Sequence, residues 1–232
     1  MRAYETVPGP APVVVLETLT GATLACLLDE SSDARLPLDQ LGFLGVQLCS
    51  AVGYLHRHGF LHLDLKPTNI VAQDGGAKVI DLSIARRPGR ARPGVGTSGY
   101  MAPEQVLGED LTPAADVWGI GAVLFEAATG REPFEPQSCP SGPSSSGRGV
   151  TGGTDDSDHD DRSTAERNPQ IVRPAPSVST LRRLSRPLAA AIDACLQRDP
   201  ALRPGVDGLS RELQRLLGVD PKGPSDAGAR SG

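Results

Sequence analysis

The sequence predicts an α+β domain, mainly helical, with a small β-hairpin between two helical stretches and a short strand near the start. Three observations carry this. Leu41, Leu44, Leu48, Ala51, Val52 and Leu55 recur at three- and four-residue spacing, the period of one helix face. Residues 113–129 are apolar nearly all round, a pattern that only a helix buried on every side tolerates. Between them, the short segments 70–72 and 78–80 flank Asp74-Gly75-Gly76, which signals a hairpin.

Each element has its own justification. Residues 13–16 are a β-branched run bounded by Pro12 and Thr20-Gly21 and read as a buried strand. Residues 23–29 can form one or two helical turns. In the helix over 37–58, Pro37 suits a first helical position and Gly59 a stop. For 113–129, Thr112 is an N-cap and Gly130 the C-terminal stop, and the helix should lie at the centre of the domain. Helical patterns resume at 186–197 and 206–217. From Ser138 to about Asn168 the pattern vanishes into Ser, Gly, Pro and Thr around Asp155, Asp156, Asp158, Asp160 and Asp161. Nothing there offsets the entropy of ordering. These aspartates lack the glycine and terminal glutamate of a calcium loop, so a solubilising linker is the simpler reading.

Composition narrows the function. The chain has 232 residues, 38% of them hydrophobic, with 27 Gly and 21 Pro, so part of it is expected to be unpacked. A net charge of −5 excludes an overall basic footprint for nucleic acid. Cys26, Cys49, Cys139 and Cys195 form no C-x-x-C pair and fit free thiols in a reducing cytosol. No signal peptide is supported at the N-terminus, and no apolar run reaches the length of a membrane span. The expectation is a soluble, cytoplasmic protein.

The chemistry concentrates in Leu61-His62-Leu63-Asp64-Leu65-Lys66-Pro67-Thr68-Asn69, placed after a helix and before the hairpin, whose second strand ends in Asp81-Leu82-Ser83. A carboxylate, a lysine two residues on, an asparagine five residues on and a second carboxylate after a hairpin suit phosphoryl transfer. One carboxylate orients the attacking hydroxyl, an ammonium offsets charge on the phosphate, and an amide oxygen with a carboxylate holds Mg²⁺.

Residues 62–69 resemble the catalytic loop of eukaryotic-type (Hanks-type) serine/threonine protein kinases, and Asp81 resembles the aspartate of Asp-Phe-Gly. Further matches follow in order. Gly96-Thr97-Ser98-Gly99-Tyr100-Met101-Ala102-Pro103-Glu104 is similar to the end of an activation segment. Asp116-Val117-Trp118-Gly119 is similar to the start of the central helix, Gly130-Arg131-Glu132-Pro133-Phe134 to the loop after it, and Asp199-Pro200 to Arg203-Pro204 to the segment closing the lobe. The resemblance implies a protein-kinase-like C-terminal lobe. Residues 1–20 would be a remnant of the N-lobe sheet and hinge, with 2–6 part of a strand. Residues 21–137 would form the catalytic part, 138–170 a disordered insert, 171–217 the closing helices and 218–232 a disordered tail.

The resemblance also implies roles. Asp64 would be the catalytic base, Lys66 would contact the γ-phosphate of ATP, and Thr97 would support the base and the substrate hydroxyl. Asn69 and Asp81 would bind Mg²⁺. Glu17 and Leu19 would offer backbone groups to the adenine behind Leu16. His62 would be structural, Glu104 would pair with Arg203, and Asp116 would tie the central helix to the catalytic loop. The implied reaction is transfer of the ATP γ-phosphate to a Ser or Thr hydroxyl of a protein substrate.

Departures qualify this. Leu63 replaces the usual arginine, which weighs against control by loop phosphorylation. Leu82 can fill the apolar slot of the usual Phe, whereas Ser83 lacks the backbone freedom of the usual Gly. No glycine-rich loop or Val-Ala-Ile-Lys strand precedes Val13, so most of the N-terminal lobe is expected to be missing. A binding or scaffold module without catalysis, a pseudokinase, is the alternative function. Arg86, Arg87, Arg90 and Arg92 read as a solvated basic loop, and His56 and His58 as helix-end capping groups.

Overall fold

The computed structural model describes residues 3–9, 13–134 and 167–218. Cys139, the aspartates of 155–161, most of the 138–170 insert and the tail from 219 lie outside the described residues. Among the described residues, three antiparallel two-stranded pairs accompany the helices: β1 (Ala3–Val7) with β2 (Val13–Leu16), β3 (Ile70–Gln73) with β4 (Gly76–Val79), and β5 (Gly89–Arg90) with β6 (Asp110–Leu111).

Among the described residues the helices that can be bounded are α1 (Leu24–Glu30), α2 (Leu38–Arg57), α3 (Pro103–Leu107), α4 (Pro113–Thr129), α5 (Arg186–Cys195) and α6 (Val206–Leu216). α4 is the centre, as its sequence predicts: Val117, Trp118, Ile120, Val123 and Phe125 are at most 1% exposed. The Thr112 hydroxyl accepts a hydrogen bond from Ala114 N, and Gly130 takes φ 73° at the other end, so both ends stop where the sequence says. α2 packs on α4 and α6, and α5 packs on α4. The α4–α5 approach is close: a Cβ on Gly121 would stand 2.5 Å from Cys195 Cβ.

The Thr23 hydroxyl caps α1, accepting from Cys26 N. Asp74 and Gly75, both at positive φ, make the tight turn between β3 and β4. Cys26 is exposed, Cys49 and Cys195 are buried, and all three are free thiols.

Two expectations are corrected. Residues 13–16 form a strand, but not a buried one: every residue of β1 and β2 is exposed, and the two strands make a two-stranded sheet. The end of the expected insert 138–170 is ordered structure. Pro169–Ile171 is a 3₁₀ turn with Pro169 and Gln170 buried, and the Gln170 amide donates to Met101 O at 3.1 Å, which anchors it. β5, β6 and α3 lack the length for a periodic signal.

Candidate active site

The loop 61–69 leaves α2 and enters β3. Its start is pinned by paired backbone bonds between Leu61 and Arg86, 2.7 and 3.1 Å. Within it Leu63 takes φ 68°, a left-handed conformation costly for a side chain with a Cβ. Asp116, at the start of α4, holds the strained turn. Its carboxylate accepts from His62 N at 2.9 Å and Leu63 N at 2.7 Å. Gln105 holds the other side, its amide donating to Leu63 O at 2.9 Å and Val95 O at 3.0 Å.

His62 is fully buried. Asp64 N donates to its Nδ1 at 3.2 Å, so Nδ1 carries no proton, and Nε2–H donates to Ile80 O at 3.1 Å. Both ring nitrogens are thus engaged in holding the loop against the end of the hairpin.

Around Asp64 the loop makes a compact cluster. Asp64 is 8% exposed. Thr97 Oγ1 donates to its Oδ1 at 2.6 Å, Lys66 Nζ lies 2.8 Å from its Oδ2, and Asn69 Nδ2 donates to the same Oδ2 at 3.0 Å. Lys66 also donates to Thr97 Oγ1 at 2.8 Å. Asn69 Nδ2 reaches Asp64 O as well, at 2.9 Å, so the amide nitrogen faces Asp64 and the amide oxygen faces away.

Asp81 contrasts with Asp64. It is exposed, at φ 64°, and its Oδ1 accepts from Ser83 N at 3.1 Å. Hydrogen bonds from Ser83 hold its carboxyl below the usual range. Ile80 N donates to Asn69 O at 2.9 Å, which sets Asp81 beside Asn69 where the hairpin closes. An amide oxygen and an ionised carboxylate are hard oxygen donors of the kind Mg²⁺ takes together with phosphate oxygens. Leu82 fills no slot in this conformation; it is 48% exposed.

Leu16, Glu17 and Leu19 share no hydrogen bond with the Asp64 cluster. They lie where β2 passes toward α1, along the β3–β4 hairpin, and the Glu17 carboxylate meets Lys78 Nζ at 2.9 and 3.0 Å. Glu104 and Arg203 form a buried fork, 2.6 and 2.8 Å, and the remaining guanidinium protons reach Ala114 O, Gln197 O and Arg198 O.

Three contributors escape a sequence reading. His56 does not cap its helix: its Nε2 lies 2.8 Å from Asp116 Oδ2, whereas His58 Nδ1 does meet a helix-end carbonyl, Tyr54 O. Gln105 and Lys78 had only their place beside the motifs to mark them.

The chain matches the protein kinase domain family over residues 3–213. Among curated proteins it is 34% identical over 137 residues to "Serine/threonine-protein kinase PknB" of Mycobacterium leprae, covering 56% of this chain and 22% of that protein. It is 40% identical over 127 residues to "Serine/threonine-protein kinase 36" of Pongo abelii, covering 53% of this chain and 9% of that protein. The PknB of Mycobacterium tuberculosis is 33% identical over 138 residues. The matched stretch spans at most about a fifth of these relatives' length. With the family matched along most of its length and the loop 61–69 built around Asp64, this chain belongs to the protein kinase family.

Proposed function

We propose that this chain is a serine/threonine protein kinase, transferring the γ-phosphoryl group of ATP to a Ser or Thr hydroxyl of a protein substrate. The observation that carries the reading is the clasp on Asp64: a carboxylate with Thr97 on one oxygen and Lys66 and Asn69 on the other. Such a carboxylate is aimed and held before substrate arrives, which is what phosphoryl transfer needs from a protein.

Asp64 is the base: it orients the acceptor hydroxyl and takes its proton as the new oxygen–phosphorus bond forms. Lys66, already at Asp64 and Thr97, places its positive charge where the transferred group gains negative charge. Thr97 fixes the Asp64 rotamer and borders the acceptor. Asn69 and Asp81 are the residues that would hold Mg²⁺, and Leu16, Glu17 and Leu19 those that would face the adenine. When bound, MgATP supplies the phosphoryl group and neutralises its charge. His62, Asp116, Glu104 and Arg203 keep the loop and lobe in place.

The relatives are named serine/threonine kinases, which supports the acceptor class. The net charge of −5 favours a protein over a nucleic-acid partner. No helix among the described residues is long and apolar enough to cross a membrane. The need for ATP and the free thiols of Cys26, Cys49 and Cys195 support a cytoplasmic site of action.

The test is transfer of labelled γ-phosphate to a Ser/Thr-containing protein acceptor. Asp64→Asn keeps the shape and removes the base, and should lower the rate by about 10²-fold or more. Transfer by Asp64→Asn at the wild-type rate, or none by the wild type, overturns the reading.

A further inference from the structure

We propose that Lys78 and Glu17 form a positioning clamp, fixing the segment that faces the nucleobase to the hairpin that carries the metal-binding side chains. The inference deepens the kinase reading above and rests on it.

The clamp has a definite build. Lys78 lies in β4, directly across from Val71 of β3. Both carboxylate oxygens of Glu17 reach its ammonium, at 3.0 and 2.9 Å, across 61 residues of sequence. The two side chains are only 30% and 15% exposed, so this is not a loose surface pair. Below Glu17 the same segment is fastened along β3. Thr20 N donates to the Gln73 side-chain oxygen at 2.9 Å, Ala72 N donates to Ala22 O at 2.9 Å, and Thr23 bridges Val71. The approach is backbone to backbone: a Cβ on Gly21 would stand 1.8 Å from Ala72 O, so only glycine lets the segment lie this close.

The segment therefore crosses both strands. Backbone bonds at 22 and 23 and the Gln73 side chain at 20 hold this segment to β3, and one ion pair holds residue 17 to β4. The hairpin begins next to Asn69 and ends at Asp81, and Ile80 N closes it onto Asn69 O. It thus sets the distance between the base-facing backbone at 17–19 and the metal-binding side chains. Removing the charge of Lys78 leaves the bonds at 20–23 intact and removes the ion pair that ties residue 17 to β4. Neither Lys78 nor Glu17 bonds to Asp64, Lys66 or Thr97. The loss should therefore fall on nucleotide affinity and leave the rate at saturating ATP unchanged.

The experiment uses the full chain with Mg²⁺ and N-methylanthraniloyl-ADP, read by fluorescence, with amide hydrogen exchange measured on the same variants without nucleotide. Lys78→Glu should weaken binding by about tenfold, the scale of a charge-assisted hydrogen bond in a half-buried place. It should speed exchange at 17–19 while sparing 64–69. The swap Glu17→Lys with Lys78→Glu should recover most of the affinity, and Lys78→Met, which adds no repulsion, should lose affinity without loss of fold. Wild-type affinity in Lys78→Glu and Lys78→Met, or unchanged exchange at 17–19, overturns the clamp and leaves the kinase reading standing. Failure of the swap to recover binding, at an unchanged melting temperature, also overturns it. Absence of binding by the wild type overturns the kinase reading and the clamp together.

Discussion

Glu126 shows how much a single carboxyl's surroundings decide. It sits on α4, largely buried, and the Tyr100 hydroxyl donates to its Oε2 at 2.5 Å. Burial, opposed by that hydrogen bond and reinforced by the charges of Glu132 and Asp29, pushes its pKa from 4.5 to about 7. Asp81 titrates the other way, because it is exposed and Ser83 solvates its charge. The consequence for stability has a sign. A carboxyl whose pKa is raised on folding binds its proton more tightly in the native state. Its favourable contribution is present below about 4.5 and is lost as pH rises toward 7. Glu126→Gln removes the titration. Thermal melting followed from pH 5 to 8 should show wild type losing about 5 °C relative to Glu126→Gln, most of it below pH 7. Parallel curves would show that Glu126 is already ionised at pH 5.

At the scale of elements, the Glu104–Arg203 fork joins the start of α3 to the turn ahead of α6. All five N–H donors of Arg203 are engaged, and its guanidinium lies 5.0 Å from the Trp118 ring centre. Glu104→Gln leaves that cation buried with a neutral partner. It should cost about 3 kcal/mol or more in urea unfolding, whereas a change of under about 1 kcal/mol would mean the turn relaxes and admits water. This fork was legible in the sequence because Glu104 and Arg203 stand inside recognisable motifs. α4 was legible to the residue, since Thr112, Gly130 and an unbroken apolar face each carry a local physical signal. The hairpin was legible from Asp74-Gly75. Burial of β2 was not, because a β-branched run reports a preference for strand and says nothing of what covers it. Gln105, His56 and Lys78 were missed for a related reason. Their roles come from partners 42, 60 and 61 residues away, a separation no local pattern encodes.

The molecule as a whole has a steep gradient of order, which the proposed ligand should change in a particular place. At one extreme is α4, whose residues Trp118, Ile120 and Phe125 are sealed from solvent. At the other is the β1–β2 pair, exposed on both faces, an arrangement only marginally stable by itself in water. Local opening should therefore be cheap in β1 and β2 and approach the global cost in α4. The loop 61–69 and the segment 17–22 lie between, tied down by Asp116, Gln105 and the hairpin but facing the proposed nucleotide. Native-state amide exchange should order these regions as α4 slowest, then 61–69, then β1–β2. MgADP that stabilised only by mass action against global unfolding would slow the α4 amides, which exchange through that route, and leave locally opening amides alone. MgADP seated between 16–19 and Asn69–Asp81 should instead slow amides 16–22, 61–69 and 81–83, where opening would release it, and should leave surface amides of α5 and α6 unchanged. Slowing confined to α5 and α6 would place the nucleotide elsewhere and remove Asn69 and Asp81 from its site.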